Sequence, residues 1–218
     1  MSAPVKTAVV TGGHGFDFVK FHNLFHGLDG VEPYVQHMDD FASAKEDVRA
    51  SYDTVVFYAM FKEGPNDAGQ PWYAGRPGAV LERLGETQQG ILILHHAILA
   101  YPEWPLWGEL IGMRDRSFDY YVDQSLHIEI TNAHHPITSG MSAWDMTDET
   151  YAMADPVDVD DVLLSVDHPQ SMRTIAWTRQ HRESRVFCFQ SGHDNQTWEN
   201  PAFQKILRRG IHWTAGRI

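Results

Sequence analysis

Four consecutive aliphatic residues, Ile91-Leu92-Ile93-Leu94, followed at once by His95-His96, set the strongest constraint on what this chain can fold into. A strand that reads as an unbroken apolar run is buried on both faces, which requires helices packed above and below its sheet. Two imidazoles then arrive where that strand must end and turn. In open α/β sheets, ligands bind at the carboxyl ends of the strands, so residues 90–100 predict a ligand-bearing strand end.

Upstream, residues 5–11 predict a first strand that runs into Gly12-Gly13-His14-Gly15, and Phe18, Phe21, Leu24, Phe25 and Leu28 then recur at helical spacing. A second strand is expected over 33–38, a helix over 41–49, a buried third strand over 54–59, and helices over 79–87 and 106–111. Alternation of this kind predicts a mostly parallel, doubly wound α/β sheet flanked by helices. Downstream the pattern changes. Short strands are expected at 120–122, 126–130, 162–166, 174–177 and 185–189, so the second half adds extra β-strands before a covering helix over 203–213. Residues 60–78 carry little periodicity and follow the third strand at its carboxyl edge, which predicts a lid. Nothing reads as a linker, and residues 1–218 are expected to form one domain.

The formal charge of −12, from 17 Lys plus Arg against 29 Asp plus Glu, repels phosphate backbones and anionic lipid. No nucleic-acid or membrane partner is therefore expected. No apolar run approaches the ~18 residues that span a bilayer, and the first residues lack a signal-peptide pattern, so a cytoplasmic protein is expected. Cys188 stands alone, which excludes an intrachain disulfide; inside Arg-Val-Phe-Cys-Phe-Gln it reads as a small buried apolar residue. Trp72, Tyr73, Trp104 and Trp107 are the candidates for a homodimer interface, or else form the lid's own core.

Thirteen histidines, several beside Gly or Pro, favour a polar site, and four clusters could build it. At the first turn, Gly13-x-Gly15-x-x-Phe18 lacks the third glycine of a dinucleotide fingerprint, so no NAD is expected. Its glycines still let backbone approach a ligand, making His14 and Asp17 substrate-binding candidates, although Asp17 also suits an N-cap. At His95-His96 adjacent side chains diverge: His95 is the candidate general base, proton shuttle or metal ligand, and His96 a ligand contact. No Gly-x-Ser-x-Gly or cysteine elbow is present, which disfavours acyl-enzyme chemistry at this turn.

The third cluster joins His135, held extended by Pro136, to Asp148-Glu149-Thr150-Tyr151. His135 is a ligand contact or a rigid loop anchor, Glu149 is an assisting carboxylate, and the alternative for Asp148 and Glu149 alike is an ordinary surface acid. The fourth, residues 190–198, offers His193, Asp194, Asn195 and Trp198, which suit sugar hydroxyls and an apolar sugar face. Its alternative is an Asx-turn loop capping the final helix.

Taken in order, Val9-Val10-Thr11-Gly12-Gly13-His14, Ile93-Leu94-His95-His96-Ala97, His135-Pro136-Ile137-Thr138, Asp148-Glu149-Thr150-Tyr151, Ala176-Trp177-Thr178-Arg179, Gly192-His193 and the segment 210–216 follow one another over nearly the full length. In this succession the chain resembles the ThuA-like (trehalose utilisation) family, whose fold is similar to class I glutamine amidotransferases. The resemblance implies a flavodoxin-like sheet with His95 at the amidotransferase nucleophile position, Gly192-His193 near that fold's catalytic histidine, and glutaminase activity lost. It also implies a place in disaccharide or keto-sugar metabolism. One departure is the stretch His14-Gly15-Phe16-Asp17, which lacks the family's frequent His-Asp pair.

Three functions are compatible with these residues. The first is an enzyme of sugar or keto-sugar metabolism, with His95 and His193 as acid and base, Glu149 and Asp194 assisting, and Tyr151 and Trp198 lining a small sugar-like ligand. The second is metal-dependent hydrolysis, a divalent zinc- or manganese-type ion being held among His14, His95, His135, Glu149 and His193. The third is a sugar-binding or regulatory module without chemistry.

Overall fold

The computed structural model describes residues 3–68, 70–71 and 75–218. Strand β1 (Val5–Gly12) sends Val5 and Val9 to one core and Ala8 and Val10 to the other. It is followed by α1 (Phe18–His26), β2 (Val31–His37), α2 (Met38–Ser43), α3 (Glu46–Ala50), β3 (Thr54–Ala59), α4 (Pro77–Glu82) and β4 (Gly90–Leu94). A short 3-10 helix over His95–Leu99 and α5 (Pro105–Ile111) close the first half. The second half holds β5 (Phe118–Ile130), β6 (Trp144–Met153), β7 (Asp161–Val166), β8 (Thr174–His181), β9 (Ser184–Phe189), α6 (Asn195–Trp198) and α7 (Pro201–Thr214).

Among the described residues these strands make one mixed sheet in the order β2-β1-β3-β4-β9-β8-β7-β5-β6. The first five are parallel and the rest antiparallel. In β3 and β4 every residue except the strand-end polar Thr54 is apolar or glycine, because helices cover both faces. Val56, Leu92 and Phe187 face α1 and α7, whereas Phe57, Ile93 and Cys188 face α2, α4 and α5. Helix α7 lies close against the sheet: a Cβ on Gly210 would fall 2.3 Å from the Phe187 ring. Cys188 is buried among apolar neighbours, and burial pushes its thiol pKa far up, which removes it as a nucleophile.

Several boundaries differ from expectation. Met38 starts α2 instead of ending β2, because the His37 side chain accepts the Asp39 N–H and caps the helix. The helix expected over 41–49 is two, since Ala44 and Lys45 are extended. Residues 120–122 and 126–130 belong to one strand, β5, bulged between Tyr121 and Gln124. Strand β6, for which the sequence gives no alternation, pairs with β5 along its length. Trp107 is core, its indole donating to the Ala97 carbonyl at 2.9 Å. The lid expected over 60–78 includes Gly69, Trp72, Tyr73 and Ala74, which lie outside the described residues. Within the described part, Asp67 caps α4 by accepting the Gly78 and Ala79 N–H groups at 2.8 Å. No described helix is long and apolar enough to cross a membrane.

Candidate functional site

Strand β4 gives way at His95, whose φ of 54° places a non-glycine residue in the left-handed region. Such strain persists only where surroundings enforce it. Here the His95 Nδ1 lies 2.7 Å from the carbonyl of Gln190, just beyond β9. A carbonyl only accepts, so Nδ1 carries a proton and donates to it. The Tyr151 hydroxyl, from β6, is hydrogen-bonded to Nε2 at 2.8 Å. His95 has no exposed surface and sits one layer behind the cleft wall.

Glu149, also on β6, fills the space between two imidazoles. One carboxylate oxygen is 3.5 Å from His95 Nε2, and the other is 3.6 Å from His193 Nδ1. Burial alone would raise this carboxyl, but the hydrogen bond and charge of His95, with the charge of His193, outweigh it and hold Glu149 below its ordinary value. The carboxylate is therefore ionised at neutral pH. His193, half-exposed at the mouth, completes a trio whose donor atoms all lie within 4.8 Å of one another.

A buried scaffold fixes this trio. Asp148 accepts the N–H groups of Glu149 at 2.9 Å, His193 at 3.0 Å and Gly192 at 2.9 Å. Gln190 donates its side-chain amide to the Glu149 carbonyl at 3.0 Å, tying β9 to β6. Tyr58, on β3, donates to the carbonyls of Gly192 and His193. Burial raises the hydroxyl pKa of both Tyr58 and Tyr151 well above the ordinary value, so both remain protonated donors.

In front of the trio opens a cleft of about 670 Å³, within the usual range for small-molecule sites. Met60, Leu99, Phe118, Tyr120 and Val122 give it an apolar wall, and His14, His96, Lys62, Glu149 and His193 its polar groups. His14 packs on His96 with ring centroids 4.5 Å apart. Burial holds His96 neutral, its pKa well below the ordinary value; burial and then the charge of His95 lower His14 as well.

Of the residues singled out from sequence, the fold thus gathers His14, His95, His96, Glu149, Tyr151 and His193. The others lie elsewhere. Asp17 caps α1 by accepting the Lys20 N–H, and Asp194 caps α6 by accepting the Gln196 N–H. Asn195 reaches Asp17 at 3.4 Å, away from the cleft lining. Trp198 is 2% exposed and packs on Phe21, its indole donating to the Gly192 carbonyl, so it supports the turn and offers no face to a ligand. His135 is buried against Trp213 of α7, the rigid-anchor alternative, because its Nδ1 accepts the Ile137 N–H. Asp148, which reads from sequence as an ordinary surface acid, is buried, because its role depends on backbone brought in from residues 192 and 193. Sequence reasoning missed the parts of Gln190, Tyr58 and Lys62.

The parallel half has the flavodoxin strand order, and its strand β4 runs into a left-handed elbow occupied by histidine; the fold is glutamine amidotransferase-like. Solved structures agree on the fold. A ThuA-like protein from Parabacteroides merdae is 19% identical, the match covering 99% of this chain and 91% of that one with a TM-score of 0.76. One from Bacteroides uniformis is 17% identical, with 98% and 93% covered and a TM-score of 0.72. A glutamine amidotransferase from Thermotoga maritima is 8% identical, with 98% and 99% covered and a TM-score of 0.54. No curated protein matches the sequence. The family model described as trehalose utilisation matches residues 29–214, and the chain belongs to this family, ThuA.

Proposed function

We propose that this protein is an acid-base enzyme acting on a sugar or keto-sugar, with Glu149 as base and His193 as its partner. The observation that carries this reading is one ionised carboxylate held between two imidazoles on the wall of a cleft of about 670 Å³. Proton transfer next to a ketone, as in isomerisation or elimination, needs two such groups and no nucleophile. His95 has a different part from the one expected of it. With no exposed surface it acts through Glu149, as a positioning residue, with Tyr151 holding its ring. The family's description, trehalose utilisation, supports a sugar-like ligand. The sequence alternative of a homodimer has no bearing on this chemistry.

The direct test is turnover of 3-keto-glycosides by His193→Gln. We expect kcat to fall about 10²-fold or more, in line with removal of a general acid or base, while the fold is retained. Full activity would remove the mechanism.

A second reading rests on the donor set itself. His95, Glu149 and His193 bring three ligand atoms within 4.8 Å, and the His95 Nδ1–H on a backbone carbonyl is the outer-shell bond that metal-bound histidines make. A divalent ion there would act as a Lewis acid in hydrolysis. Dialysis against EDTA separates the two: the acid-base enzyme keeps its rate and melting temperature, whereas a metallohydrolase loses its rate and regains it with Zn²⁺ or Mn²⁺.

A further inference from the structure

On the far side of His14 lies a second hollow, of about 420 Å³, at the carboxyl ends of β1 and β2. Gly13 and His14 belong to the walls of both hollows. The rim between them carries no side chain at Gly12 and Gly13, for a steric reason. A Cβ at Gly13 would fall 2.3 Å from the Met60 carbonyl oxygen, and one at Gly12 2.5 Å from the Phe61 ring; both residues have positive φ. Backbone therefore forms the rim, and His14, exposed at its crest, is the side chain standing on it.

The second hollow has a ring-shaped shelf. Phe16 and Phe18 stack with centroids 5.6 Å apart and 21° between planes, and Phe18 is 58% exposed at the start of α1. A large aromatic left in water beside a hollow loses free energy that a flat apolar ligand face recovers. On the same hollow stand His37 and Asp40, the latter with no ion-pair partner among the described residues. In a chain of net charge −12, that carboxylate favours hydroxyls and disfavours an anionic ligand.

We propose that the substrate spans both hollows. Its reacting ring sits before Glu149 and His193, and a second, uncharged ring crosses His14 to pack its apolar face against the exposed part of the Phe18 ring, with edge hydroxyls meeting Asp40. The placing of the first ring rests on the acid-base reading; the second-ring site rests on the shelf and the rim. A second sugar and a hydroxylated aryl group both present an uncharged ring with one apolar face.

Three probes oxidised at C3 test it: a methyl glucoside, a diglucoside and a hydroxyphenyl glucoside. Their unoxidised parents are followed in parallel by saturation-transfer NMR. Wild type is expected to show a KM several-fold lower for a two-ring probe than for the methyl glucoside. Phe18→Ala, an exposed position outside the catalytic groups, should raise that two-ring KM about 3- to 10-fold and leave kcat and the methyl probe unchanged. Asp40→Asn should weaken the diglucoside more than the aryl probe if the second ring is a sugar, and both equally if it is aryl. Equal KM for one-ring and two-ring probes, a Phe18→Ala effect shared by all three, or no binding of either two-ring parent would overturn the second-ring site. If no probe turns over but Phe18→Ala still weakens the two-ring parents, the site stands and the acid-base reading falls.

Discussion

Glu149→Gln is expected to lower kcat for 3-keto-glycosides about 10²- to 10⁴-fold while changing KM little, because the amide keeps the shape of the carboxylate and loses its basicity. No neighbour can replace it. His95 has no exposed surface, and Tyr151 is held protonated by burial. The pH dependence gives an independent check on the same carboxylate. A carboxylate base works above its pKa, and His95 and His193 hold this one below its ordinary value against the opposing pull of burial. The acid limb that Glu149 imposes on the wild type therefore lies below the ordinary range of a glutamate. His95→Asn removes the hydrogen bond and charge that oppose burial, so the Glu149 pKa rises and the limb moves to higher pH. A variant limb that stays in place would show that His95 does not act through Glu149. The same sign governs stability: a depressed carboxyl stabilises the fold above its unfolded pKa, and that contribution is lost as pH falls through the folded value.

The parallel half of the fold was legible because its strands are buried on both faces. Ile91 to Leu94 admits one reading, and Val9, Val56 and Phe57 repeat it in the neighbouring strands. Strand β6 was not legible, for the reason that makes it interesting. Asp148, Glu149 and Thr150 interrupt any apolar alternation, yet all three are buried, because Asp148 meets the Gly192 and His193 N–H groups, Glu149 the His95 and His193 imidazoles, and Thr150 the Gln170 carbonyl. Such pairings are non-local, and period-2 patterning cannot see them. A polar run in a strand marks a site only once the sheet order is known.

The elbow shows the same limit at one residue. Sequence position puts both His95 and His96 at the strand end with diverging side chains and favours His95 as the one that faces the ligand, whereas the structure lines the cleft with His96. The left-handed backbone at His95 turns its ring inward onto Gln190, Tyr151 and Glu149, leaving His96 to line the cleft beside His14. Helix caps misled in the opposite sense. Asp17 and Asp194 carry chemistry-bearing groups next to site residues, and each is occupied by an N–H of its own helix.

Asp148→Ala is expected to destabilise the protein by about 3 kcal/mol, since three buried N–H donors would lose their acceptor at once and each orphaned donor costs about 1–3 kcal/mol, less what water recovers. For a chain of this size that corresponds to a fall in Tm of roughly 6–12 °C, measurable by calorimetry or urea unfolding. Asp148→Asn discriminates a structural from a site-specific loss. One amide oxygen can still accept from Glu149 and His193, but the NH₂ group would face the Gly192 N–H, donor against donor. Its stability loss should be smaller than that of alanine, while the Gly192-His193 turn shifts and kcat falls with it. Burial raises the Asp148 carboxyl above its ordinary value, so its contribution is fully present below the unfolded pKa and is partly lost as pH rises through the folded one. The gap between wild type and alanine variant should accordingly widen toward acid pH. An alanine variant as stable as the wild type would mean that the turn carrying His193 is held by Tyr58 and Trp198 alone.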